Sequence, residues 1–121
     1  MLLDYNEESP FLKPTDRQLP LAVVSNIMKA PVPSSAKISK DSKELMQKCS
    51  SEFIAIITCR AKEICDSEAR KTITGDDLIR AMIDLDMPYY SEFTKKVFEK
   101  YKESCNGSKT SKYQPDDLKF N

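Results

Sequence analysis

Hydrophobic and polar positions follow a helical period along one long stretch, Ser39 to Ser67. It reads SKDSKELMQKCSSEFIAIITCRAKEICDS and holds no proline and no glycine in 29 residues. At about 100° per residue, Leu45, Met46, Cys49, Phe53, Ile54, Ile56, Ile57, Ala61 and Ile64 fall on one half of a helix. Gln47, Lys48, Ser51, Glu52, Lys62 and Asp66 fall on the other half. Ser39 suits an N-cap, because its hydroxyl accepts from the first free backbone amides, and Asp41 in the first turn suits the helix dipole. Such a helix is roughly 40 Å long at 1.5 Å per residue, far above the ordinary length of about 11–12 residues.

Shorter periodic segments flank it. Residues 20–29, PLAVVSNIMK, predict a short helix with Pro20 in its first turn and Val23, Val24, Ile27 and Met28 as its apolar face. Residues 30–38 are a loop broken by Pro31 and Pro33. After a connection over 68–73, Thr74-Gly75-Asp76-Asp77 opens another helix, with Thr74 as N-cap and Asp77 completing a capping box. Leu78, Ile79, Met82 and Ile83 form its apolar face, and Asp86 and Pro88 end it. Residues 89–104 predict a fourth helix, with Tyr90, Phe93, Val97 and Tyr101 on one side. The segments 1–18 and 105–121 show no period and read as tails around a domain at 19–104. There is no internal repeat and no segment with the alternation of a strand.

The predicted class is therefore all-α: short, long and short helices, then an added one. Two short helices cannot hide a half-circle of apolar surface on a long one. A partner with the same pattern can, which is the logic of an intertwined helical dimer.

Composition narrows the chemistry. Nineteen Lys and Arg balance nineteen Asp and Glu, so no net charge draws a polyanion to the whole chain. Residues 13–48, however, carry seven Lys/Arg against three Asp/Glu, a basic zone compatible with phosphate contacts or with an ordinary solvated surface. No histidine is present, which removes the commonest general base and zinc ligand. Cys49, Cys59, Cys65 and Cys105 form no C-x-x-C pair and read as thiols of a reducing compartment, buried apolar residues more readily than redox switches. No run is long enough for a membrane span. The acidic segment after Met1-Leu2-Leu3 does not suit a secretory signal. Without histidine, a glycine-rich phosphate loop or triad spacing, an enzyme is not expected, nor a cofactor, a metal or a small-molecule substrate.

The helix pattern resembles the histone fold. The words LPLAVVSNIMK, AKISKDSKELMQKCSSEFIAIIT and RKTITGDDLIRAM are similar, more narrowly, to the B subunits of the CCAAT-box-binding nuclear factor Y family (CBF/NF-Y, the HAP complex type), over about residues 19–104. The resemblance implies a nuclear DNA-binding transcription factor subunit. It would form an obligate head-to-tail heterodimer with a histone-fold C-type subunit, joined on double-stranded CCAAT-box DNA by an A-type subunit that reads the bases. In that family the stretch matching Met46–Ile57 lies at subunit association, and the stretch matching Leu19–Ser25 lies, with the two loops, against DNA. Expected partner contacts are Leu45, Met46, Cys49, Phe53, Ile54, Ile56, Ile57 and Ile64.

Head-to-tail pairing brings the first loop of one chain beside the second loop of its partner. Lys37, Lys40, Arg70, Lys71 and Thr72 then become candidate phosphate contacts, with Arg17 and Lys29 beside them. The competing reading is that these are solvated loop charges. In histone folds the residues matching Arg70 and Asp77 pair across the second loop, so Arg70 has a structural role to weigh against a phosphate contact. The chain also departs from the family, which typically has asparagine at Val23, arginine at Asn26 and glycine at Asp86. The first two departures remove polar groups from the DNA-facing helix. They leave open another histone-fold pair, such as the TATA-factor-binding negative cofactor or small subunits of a DNA polymerase or chromatin remodeller. A pure dimerisation scaffold also stays open.

Overall fold

A computed structural model gives the structure of residues 18–107. These form four helices: α1 (Leu21–Lys29), α2 (Lys40–Ser67), α3 (Gly75–Asp84) and α4 (Pro88–Gly107). No strand occurs among the described residues. The chain divides into two compact units, Met1–Cys59 and Arg60–Asn121.

The helix ends follow from local chemistry. Pro20 is the N-cap of α1, and its carbonyl accepts from the Val24 amide at 3.1 Å. Ser39 caps α2: its hydroxyl meets the Ser42 hydroxyl at 2.8 Å, and its carbonyl accepts from the Lys43 amide at 3.2 Å. Thr74 and Asp77 form the predicted capping box of α3. α4 starts at Pro88, where a missing N–H costs no bond, and runs to Gly107, past the predicted end at 104. Nothing in Cys105 or Asn106 breaks a helix.

Two helix C-termini close on non-glycine residues in the left-handed region. After α2, Ala69 has φ 54°, its amide reaches the Asp66 carbonyl at 3.0 Å, and the Arg70 amide reaches the Cys65 carbonyl at 3.0 Å. After α3, Asp86 has φ 55°, with Asp86 to Ile83 at 3.0 Å and Met87 to Met82 at 2.9 Å. Both are Schellman closures, which ordinarily favour glycine. The glycine that the resemblance leads one to expect at Asp86 would suit this backbone. Aspartate tolerates this backbone better than alanine does.

In the first unit the segment before α1 is pinned to α2. The Leu19 amide donates to Ser51 Oγ at 3.0 Å, Gln47 Nε2 donates to the Leu19 carbonyl at 2.8 Å, and Ser51 Oγ donates to the Gln47 carbonyl at 2.6 Å. The polar half of α2 is thus partly used within the chain. Ser51 is buried and Gln47 half-buried, because they satisfy a peptide group that would otherwise be stranded.

In the second unit Ala61, Ile64, Cys65, Ile79, Ala81 and Met82 are buried. α4 packs on α3 through a close approach at Gly75, where a Cβ would lie 2.7 Å from Phe98 Cε2 and Cζ. Lys102 Nζ sits 4.2 Å from the centre of the same ring. Thr94 Oγ1 donates to Met82 Sδ at 3.3 Å. Among the described residues every buried side-chain nitrogen and oxygen has a partner.

Candidate nucleic-acid interface

The loop between α2 and α3, loop 2, is built from within. Cys65 is fully buried, and its thiol lies 3.2 Å from the Arg70 carbonyl and 3.3 Å from the Thr72 carbonyl, both acceptors. Arg70 Nη1 donates to Asp77 Oδ2 at 2.9 Å and to the Thr72 carbonyl at 3.3 Å, and Nη2 donates to Asp77 Oδ1 at 2.5 Å. Asp77 is buried and also accepts from the Thr74 amide at 2.8 Å. Arg70, then the Thr74 amide, hold its carboxyl well below the usual carboxylate range. Asp77, then Glu68, push the Arg70 guanidinium above its ordinary value.

This geometry sorts the loop 2 candidates. Arg70 is committed to the fold: its guanidinium donates to Asp77, to Glu68 and to the Thr72 carbonyl. Its own backbone carbonyl, held by the Cys65 thiol, fixes the residue further. Lys71 is exposed and, among the described residues, enters no ion pair. The Thr72 side chain is also exposed, while its carbonyl serves the loop.

The loop between α1 and α2, loop 1, frames an open groove of about 560 Å³ lined by Lys29, Lys37 and Lys43 together with Val32 and Ile38. Lys29 and Lys37 are exposed, and the sequence points to both. It does not point to Lys43, which lies inside α2. Only the fold of loop 1 turns that first helical turn towards Lys37. Lys40 stands almost free, 84% exposed and 3.9 Å from Glu44. Arg17 lies outside the described residues.

The candidate partner surface divides in the same way. Leu45 is 65% exposed, Ile54 50% and Met46 45%, and Cys49 is exposed. Phe53 and Ile56 are half-buried. Ile57 and Ile64 are 3% and 6% exposed, so they already serve the chain's own core and have little surface left to offer. Completing the burial of one half-exposed Leu, Met or Ile is worth on the order of 1–2 kcal/mol. The open part of the arc is therefore a standing driving force for association.

The model of the family of histone-like transcription factors (CBF/NF-Y) and archaeal histones matches residues 17–82. The chain belongs to this family. It is similar to the beta subunit of nuclear transcription factor Y of Petromyzon marinus, 50% identical over 94 residues, which are 78% of this chain and 45% of that protein. It is also similar to the B-3 subunit of nuclear transcription factor Y of Arabidopsis thaliana, 52% identical over 96 residues, covering 79% of this chain and 59% of that one. The beta subunit of nuclear transcription factor Y of Gallus gallus is 42% identical over 106 residues, 88% of this chain and 52% of that protein. The chain spans about half the length of these relatives.

In this CBF/NF-Y histone-fold chain, α1 presents its departures outward: Val23 is 48% exposed and Asn26 is exposed. Cys65 has no open thiol face for redox chemistry, whereas Cys49, Cys59 and Cys105 are exposed. Among the described residues no three His, Cys, Asp or Glu side chains gather to hold a metal, and no helix is long and apolar enough to cross a membrane.

Proposed function

We propose that this chain is the B-type subunit of a nuclear CCAAT-binding heterotrimer. It pairs head-to-tail with a histone-fold C-type subunit, and the pair takes up an A-type subunit that reads the bases. The observation that carries the reading is the open apolar arc of α2, Leu45, Met46, Cys49 and Ile54, in a histone-fold chain whose relatives are named as subunits of nuclear transcription factor Y. The partner lies over that arc and over Phe53 and Ile56. The role is binding, with no reaction to catalyse.

The chain's share of DNA binding is phosphate contact. Lys29, Lys37, Lys40 and Lys43 supply it from loop 1 and its flanks, and Lys71 and Thr72 from loop 2. They are long cations and a hydroxyl on loops and helix ends, suited to phosphate oxygens and not to base edges. Arg70 acts through loop shape. With Val23 and Asn26 on the outer face of α1, this helix adds little, and sequence choice rests with the A-type subunit or with DNA bending.

The test is assembly on DNA. Mixed with C-type and A-type subunits, the chain should shift a CCAAT duplex in preference to a scrambled one. Lys71→Ala should weaken both complexes alike and flatten the salt dependence by roughly one unit of slope. Loss confined to the CCAAT duplex would assign base reading to this chain. Assembly with the C-type subunit and no uptake of DNA would favour the scaffold reading that Val23 and Asn26 leave open.

A further inference from the structure

We propose that Glu68 is a positioning residue that sets how many cations the loop 2 end of the chain offers to DNA. Its carboxylate takes Arg80 Nη1 at 2.6 Å through Oε1, and Arg70 at 2.8 Å from Nη2 and 3.0 Å from Nε through Oε2. The inference rests on the phosphate-contact reading above and deepens it.

The two arginines depend on Glu68 to different degrees. Arg70 keeps its paired bonds to Asp77 and its bond to the Thr72 carbonyl whatever Glu68 does. Among the described residues Arg80 has, besides Glu68, only a distant approach to Asp77 at 3.9 Å. Glu68 is thus the contact that decides where the Arg80 guanidinium points. Arg80 is 49% exposed and Glu68 41%, so the pair sits at the surface rather than in the core. Arg80, then Arg70, hold the Glu68 carboxyl below the usual carboxylate range, so it stays ionised at neutral pH.

A paired arginine is a poor phosphate ligand for a reason beyond geometry. The affinity of a cation for DNA comes from the counterions it releases, and that depends on net positive charge brought to the backbone. Arg80 arrives with the Glu68 carboxylate beside it and brings none. If a phosphate captured Arg80, Glu68 would be left facing that phosphate. Lys71, which has no such companion among the described residues, remains the loop's available cation. Asp77 does not hold Arg80 in the same way: its Oδ1 lies 3.9 Å from Arg80 Nη1, beyond hydrogen-bond reach, while Arg70 and the Thr74 amide bond the carboxylate directly.

The experiment measures the salt dependence of DNA binding by the heterotrimer with parent chain, Glu68→Gln, Arg80→Gln and the double variant, on CCAAT and scrambled duplexes. Arg80→Gln alone should leave the slope unchanged, because no phosphate contact is lost, and should weaken binding modestly on both duplexes, because Glu68 loses a counter-charge. Glu68→Gln should steepen the slope by roughly one unit and tighten binding several-fold at low salt on both duplexes. The double variant should return to the parent slope. An unchanged slope for Glu68→Gln would overturn the proposal. So would an equal loss of slope from Arg80→Gln in both backgrounds, which would mean that Arg80 binds independently and Glu68 acts only through the general field. Arg80→Gln in the parent decides the matter even if Glu68→Gln assembles poorly, since any loss of slope there shows an arginine already in use. A parent complex that binds with no salt slope would fail the phosphate-contact reading itself, a result distinguishable from the others.

Discussion

Arg70 and Asp77 meet fork to fork, Nη1 on Oδ2 at 2.9 Å and Nη2 on Oδ1 at 2.5 Å. One residue lies in loop 2, and the other is buried in the first turn of α3. The pair ties the loop to the helix whose capping box Asp77 also completes. A carboxylate with these partners has a pKa depressed in the folded state. Its contribution is present in full above its unfolded value of about 4 and is lost as pH falls through and below that value. The melting temperature of the heterodimer should therefore drop on acidification below about pH 5. Asp77→Asn should melt lower at neutral pH and show a flatter acid limb. Parallel acid limbs for the two proteins would remove Asp77 from this role.

Gly75 leaves room for Phe98. A methyl group there would stand 2.7 Å from two ring carbons, so Gly75→Ala forces the Phe98 ring to give way. The expected loss is about 1–2 kcal/mol, read as a lower melting temperature of the heterodimer at fixed concentration. Phe98→Leu costs stability by itself, but in the Gly75→Ala background it should cost much less, because the ring it removes is the one in conflict. Additive losses would place the strain elsewhere.

Ala69 ends α2 with φ 54°, a conformation a β-carbon disfavours. Ala69→Gly should stabilise the heterodimer by about 1 kcal/mol without altering its contacts. Asp86→Gly, at φ 55°, should gain less, since aspartate tolerates this region better. A destabilised Ala69→Gly protein would show that the methyl group is in use by a neighbour.

The features legible in the sequence are those fixed by neighbours along the chain. Ser39 before α2, the Thr74–Asp77 box and the apolar period of α2 are all short-range signals, and Arg70–Asp77 follows from the family resemblance. What escapes depends on residues far apart. Ser51 reads only as part of the polar half of α2, because nothing local shows that the Leu19 amide, 32 residues away, needs it. Gly75 reads as part of a helix start, and only the fold sets Phe98 against it. Cys65 reads as a small buried thiol, but that it lies against two loop 2 carbonyls needs the loop's path. Ile57 and Ile64 show the limit of period alone: it marks an apolar face, but not which part the chain itself covers. Glu68 sits in a connection with no motif, and its two arginines converge only in three dimensions.

The open arc of α2 should make folding depend on a partner, and sedimentation equilibrium combined with thermal melting tests this most directly. The chain alone at low micromolar concentration should self-associate or lack a cooperative transition. Mixed with a histone-fold C-type subunit it should form a one-to-one complex that melts cooperatively, and Phe53→Asp, which puts a carboxylate into the covered arc, should prevent that complex. An isolated chain that sediments as a monomer, melts cooperatively and is unchanged by the C-type subunit would contradict the subunit role.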